Sequence, residues 1–93
     1  MEQENRITLQ ECCIHYKVES VFLQALGSSG LLELITYEDQ TYITHDQLKE
    51  LEKYMHLHYD LDINLAGIEA IKHLLDRVQE LQQELKKQLS VNL

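Results

Sequence analysis

The sequence predicts a mainly α fold: a winged helix-turn-helix head with a short β-hairpin wing, then a long C-terminal helix that forms a dimeric coiled coil. Three observations carry this reading. Proline is absent and glycine is confined to Gly27, Gly30 and Gly67, so long helices meet few breakers. Threonine caps open helical patterns on either side of a β-branched and aromatic run from Leu31 to Thr44. An apolar ladder spaced by three and four then runs from Ile68 to Leu89.

Each element follows from local chemistry. Thr8-Leu9-Gln10-Glu11 has the spacing of a capping box and predicts a short helix from Leu9 to about Tyr16, with Leu9, Cys12, Cys13 and Tyr16 inward. Lys17-Val18-Glu19 turns the chain into a second helix, Ser20 to Leu26, with Val21, Phe22, Ala25 and Leu26 on its buried side. Gly27-Ser28-Ser29-Gly30 ends it. Two short helices joined by a tight turn make a helix-turn-helix. Leu34 to Tyr37 and Thr41 to Ile43 pair as the wing around Glu38-Asp39-Gln40. Thr44-His45-Asp46-Gln47 repeats the capping-box spacing and opens a third helix to about Tyr59, in which Leu48, Leu51, Met55 and His58 keep the helical period. Asp60 to Ile63 links it to Asn64, which caps a fourth helix from Leu65 to about Ser90. At 1.5 Å per residue this helix reaches roughly 39 Å, too far to pack only on a small head. Residues 1–63 thus form the head and residues 64–93 a dimerisation helix. Ile71, Leu74, Val78, Leu81 and Leu85 form the expected coiled-coil seam.

Charge is the most informative bulk property. The chain has 93 residues and a formal net charge of -8. Residues 1–64 hold twelve acids and four bases, and residues 65–93 hold four of each, so the whole imbalance lies on the head. An acidic surface repels phosphate and attracts basic partners. The start Met1-Glu2-Gln3-Glu4 lacks the basic and apolar character of a secretory leader, and no apolar run approaches a membrane span. Cys12 and Cys13 are adjacent and do not form a disulfide framework. A reducing, cytoplasmic setting is expected, with both thiols in the head core.

The remaining constellations do not amount to a chemical site. His56 and His58 lie two apart, followed by Asp60 and Asp62, whereas helical metal pairs need spacings of three or four. His58 and Tyr59 are expected to pack at the helix base, with His56 on the surface. Cys12, Cys13 and His15 lack a partner acid or oxyanion device. No phosphate loop or nucleophile elbow is present. Neither an enzyme nor a cofactor or small-molecule substrate is expected. A DNA reader needs cations on its recognition helix and wing, and the thirty-one residues from Val18 to Leu48 contain no lysine or arginine.

The stretches ITLQECCIHYKVESVFLQALGSSGLLE, from Ile7 to Glu33, and LDINLAGIEAIKHLLDRVQELQQEL, from Leu61 to Leu85, resemble the chaperone modulator proteins of the CbpM family. That family sits in the broader MerR-like winged-helix group. The likeness lies in the Thr8-x-x-Glu11 cap, Cys13, His15 and the Gly30 to Glu33 close. It continues through Gly67-Ile68, Leu74, Asp76, Leu81 and Glu84 at the family's spacing. Ala66 stands where the modulators have a proline, and the wing from Ile35 to Gln40 differs. Compared with DNA-binding MerR regulators, Val21-Phe22-Leu23-Gln24 replaces residues of the Arg-Tyr-Tyr type. The resemblance implies a homodimer with antiparallel helices. It also implies a partner, the J-domain of a DnaJ-like, CbpA-type co-chaperone, whose co-chaperone and DNA-binding activities would be inhibited. A MerR-like DNA-binding transcriptional regulator is the alternative. Charge and exposure nominate Glu19, Glu33, Glu38, Asp39, Asp46 and Glu50 as docking acids, with Tyr37 and Tyr42 as aromatic anchors.

Overall fold

Thr8 closes the first helix from both sides. Its hydroxyl accepts the Glu11 N–H at 3.1 Å and its own N–H donates to the Glu11 carboxylate at 2.9 Å, so the capping box forms and α1 runs Leu9–Tyr16. The computed structural model describes residues 5–92. Ahead of α1 lies a strand the sequence reading did not contain, β1 (Arg6–Thr8). Lys17 leaves α1 in the left-handed region at φ 56°, and α2 follows over Ser20–Ser28. Its phase differs from the expected one. Phe22, Leu23 and Leu26 are buried, whereas Val21 is 77% exposed. Phe22 and Leu23 go inward together and join the core cluster with Cys12 and Leu51.

After α2, Gly30 takes φ 84°, and the Leu31 and Leu32 amides both return to the Leu26 carbonyl. β2 (Leu34–Tyr37) and β3 (Gln40–Thr44) form the hairpin. Glu38 and Asp39 supply its two-residue turn, both at positive φ. The sheet has the order β1-β3-β2 and is antiparallel throughout. Ile7, Ile43 and Leu34 lie side by side in one register row. Paired residues share a face, so this row looks into the core, where Ile43 is fully buried. The next row, Thr8, Tyr42 and Ile35, looks outward.

The third helix departs from expectation at both ends. His45–Gln47 form a single 3-10 turn, and the α-helix α3 covers only Leu48–Met55. The second capping box does not form. The Thr44 hydroxyl donates to Asp46 instead, and the Gln47 side-chain Oε1 accepts the Glu33 N–H at 3.1 Å. Past Met55 the helix widens into a π turn, His56–Asp60, in which the Leu61 N–H reaches the His56 carbonyl. Asp62, at φ 59°, then reverses the chain. Asn64 caps α4 (Leu65–Asn92) by accepting the Gly67 N–H at 2.9 Å. The first turns of α4 belong to the head: Ile68 is fully buried beside Leu51 and Leu23 in one core cluster. Tyr54, absent from the expected apolar face, is also buried, and its hydroxyl donates to the Leu31 carbonyl at 3.2 Å.

Candidate docking surfaces

The wing tip is built from strain and charge. A two-residue hairpin turn with both φ positive favours asparagine and glycine, yet Glu38 and Asp39 occupy it and are exposed. Tyr37, just before the tip, is 56% exposed. Tyr42 is half-buried on the outer sheet face, with the Arg6 guanidinium 4.3 Å from its ring centre and 5.7 Å from that of Tyr37. Contacts of this kind are cation–π attractions. The wing lacks arginine as expected, and the arginine beside it, Arg6, comes from β1, which brings it onto the outer face. Its Nε is buried with no hydrogen-bond partner among the described residues. The only advance signal was the β-branched pair Ile7-Thr8, too short to announce a strand.

The nominated acids lie in three places. Glu33, Glu38, Asp39 and Asp46 are exposed around the wing and the turn after it. Glu19, also exposed, is the N-cap residue of α2; its side chain makes no cap, and its N–H donates to the Tyr59 hydroxyl at 3.2 Å. Glu50 does not share the wing surface. It faces α4, 3.4 Å from the Lys53 ammonium and 3.9 Å from that of Lys72. Lys72 also contacts Asp76 at 3.0 Å, and this hydrogen bond, outweighing the opposing effect of burial, raises the ammonium pKa. Glu50 is therefore part of the brace between α3 and α4.

The outward face of α2, where a helix-turn-helix reads bases, presents Ser20, Val21 and Gln24, with the Gln24 amide bonded to the Ser20 hydroxyl at 3.2 Å. No cation is present on it. The two histidines diverge. His58 stacks on Phe22 with ring centres 4.3 Å apart and bonds the Ile63 carbonyl, while His56 pairs with Asp60 at the surface at 2.8 Å. Among the described residues no group of three His, Cys, Asp or Glu side chains converges on a point. Cys12 is buried and Cys13 half-buried, both free thiols; burial foremost, then the neighbouring Cys13, pushes the Cys12 thiol up to about 11.

Along α4 the seam residues Leu74, Val78, Leu81 and Leu85 are 46–66% exposed, and Leu75 and Leu89 extend the stripe at 51% and 56%. Ile71 is half-buried and starts a groove of about 350 Å³ between α3 and α4, with Tyr54, Leu57, Leu75 and Val78 among its walls. No described helix is long and apolar enough to cross a membrane.

Two short helices about a tight turn, a hairpin wing and a long following helix define the winged helix-turn-helix class. More narrowly, a family model described as MerR HTH family regulatory protein matches residues 7–89, and the chain belongs to that family. No match was found among the curated proteins or among the solved structures.

Proposed function

We propose that this chain is a protein-binding modulator of the CbpM type, whose acidic head docks on the J-domain of a DnaJ-like co-chaperone. Docking there would restrain the co-chaperone and DNA-binding activities of that partner. The observation that carries the reading is electrostatic: the recognition helix and wing strands, Val18 to Leu48, contain five acids and no lysine or arginine. Phosphate contacts gain affinity through counterion release to cations, and this surface offers one arginine, already engaged with two tyrosine rings. The exposed wing acids suit a basic helix, and Tyr37 is an aromatic anchor of the kind that concentrates binding energy. The stripe on α4 supports a homodimer, because an apolar surface of that length is seldom left in water. Membership of the MerR regulator family favours a second reading, a DNA-binding transcriptional regulator. Titration calorimetry against a J-domain, beside a DNA-binding assay near physiological salt, separates the two. Saturable J-domain binding without sequence-dependent DNA binding is the expected result. Sequence-dependent DNA binding at submicromolar protein, with no J-domain binding, replaces it with the regulator reading.

A further inference from the structure

On the side of the head formed by the end of α1 and the π turn lies a second concavity, of about 350 Å³, that the sequence reading did not contain. Tyr16, Met55 and Tyr59 form walls, and Lys17, Glu52, His56 and Asp60 complete the lining. Both rings are held in place. Tyr59 accepts the Glu19 N–H and meets Phe22 edge-on at 5.6 Å, and Tyr16 is half-buried with His15 edge-on at 4.9 Å. The carboxylates are placed too. Asp60 pairs with His56 at 2.8 Å at the surface, and Glu52 lies near enough to the Tyr16 hydroxyl to oppose its ionisation, second to burial. Two tyrosine rings and two carboxylates lining one concavity are the groups that recognise a planar cation. Lys17 is the one full positive charge in the lining, against the negative charges of Glu52 and Asp60.

We propose that this cleft receives an arginine guanidinium from the basic helix of the protein partner, and so anchors the docking proposed above. The inference rests on that reading for the partner, but not for the chemistry of the cleft. Guanidinium stacks on tyrosine faces and pairs with carboxylates in its own plane, which an ammonium does less well. The head's negative field raises the local concentration of such a group. Lys17 competes with it, and its removal strengthens binding.

The test is an amide-detected NMR titration of the full chain with N-acetyl-arginine amide, and with N-acetyl-glutamine amide as the neutral control. Saturable shifts are expected at Tyr16, Lys17, Met55, His56 and Tyr59 with the arginine probe alone. Glu52→Gln with Asp60→Asn, both exposed, should weaken the response about tenfold. Lys17→Gly, which also suits the left-handed backbone there, should tighten it. Equal shifts with both probes, shifts confined to the wing, or an undiminished response in the double variant overturns the cleft. A J-domain titration separates this from the function itself. Unchanged J-domain affinity in the double variant removes the cleft and leaves the modulator reading. An arginine response without J-domain binding keeps the cleft and removes that partner.

Discussion

Cys12 has no exposed surface, and burial pushes its thiol up to about 11 from an ordinary 9.0. A folded-state pKa above the unfolded one means that the unfolded chain loses its proton first as pH rises. The stability this neutral thiol contributes is therefore complete below about pH 9 and is lost between there and about pH 11. A shift of that size corresponds to roughly 2–3 kcal/mol. Cys12→Ala should show a shallower fall in denaturation midpoint over that range than wild type. Parallel slopes for the two proteins would show that Cys12 ionises alike in both states. Reactivity follows the same burial: with a bulky maleimide, Cys13, half-buried, should label faster than Cys12 in native protein. Tyr54 supplies the second test at this scale. Its hydroxyl donates to the Leu31 carbonyl and ties α3 to the loop before the wing, so Tyr54→Phe should cost about 1 kcal/mol in urea denaturation.

The wing and α4 are the elements that do not satisfy themselves locally. Glu38 and Asp39 both sit at positive φ, a conformation that is costly for residues with a Cβ. Glu38→Asn with Asp39→Gly should stabilise the head by about 1 kcal/mol, since those residues accept the turn. If the tip acids serve docking, the same change should weaken the J-domain complex while the melting temperature rises. A rise in melting temperature with unchanged affinity would assign the acids to solvent. On α4, each buried Å² of apolar surface contributes about 25 cal/mol, and six large side chains of the stripe are 46–66% exposed in the single chain. Val78→Asp with Leu81→Asp should convert a dimer to a monomer in light scattering. A wild-type monomer at micromolar concentration would leave the seam without the role proposed for it.

For the whole molecule, the asymmetry of charge sets the behaviour. The net charge of -8 belongs to the head, and the C-terminal helix is neutral, so attraction of a basic partner works through one end of the molecule. Charge reversal at Glu38 and Asp39 should slow association with a J-domain and flatten its salt dependence. The loss should be greatest at low salt, because screening sets in beyond about 10 Å at 0.1 M. Equal affinity of wild type and the double lysine variant at two salt levels would exclude the wing from the interface. The Glu52 and Asp60 variants would then show whether the cleft beside the π turn carries the contact alone.

Local patterns were legible in the sequence wherever a short-range bond decides the outcome. The Thr8 box, the helix Leu9–Tyr16 and the Asn64 cap rest on contacts within a few residues, and the strand Leu34–Tyr37 on pairing with the next strand across a two-residue turn. The long ladder on α4 was legible for the same reason, because its period is a property of the helix alone. The rest depended on partners distant in the chain. β1 exists because Ile7 pairs with Ile43, and only that pairing puts Arg6 over Tyr42. Gln47 abandons the expected cap because the Glu33 amide lies beside it, and Glu50 on α3 meets Lys72 because α4 returns beside it. The cleft of Tyr16, Glu52 and Tyr59 joins two helix ends that no spacing rule relates. The order of the four helices and the hairpin, the charge of the head and the apolar stripe on α4 were determined by the sequence itself. Which acids share a surface, and where that surface is concave, was decided only when the tertiary fold brought distant residues within bonding distance.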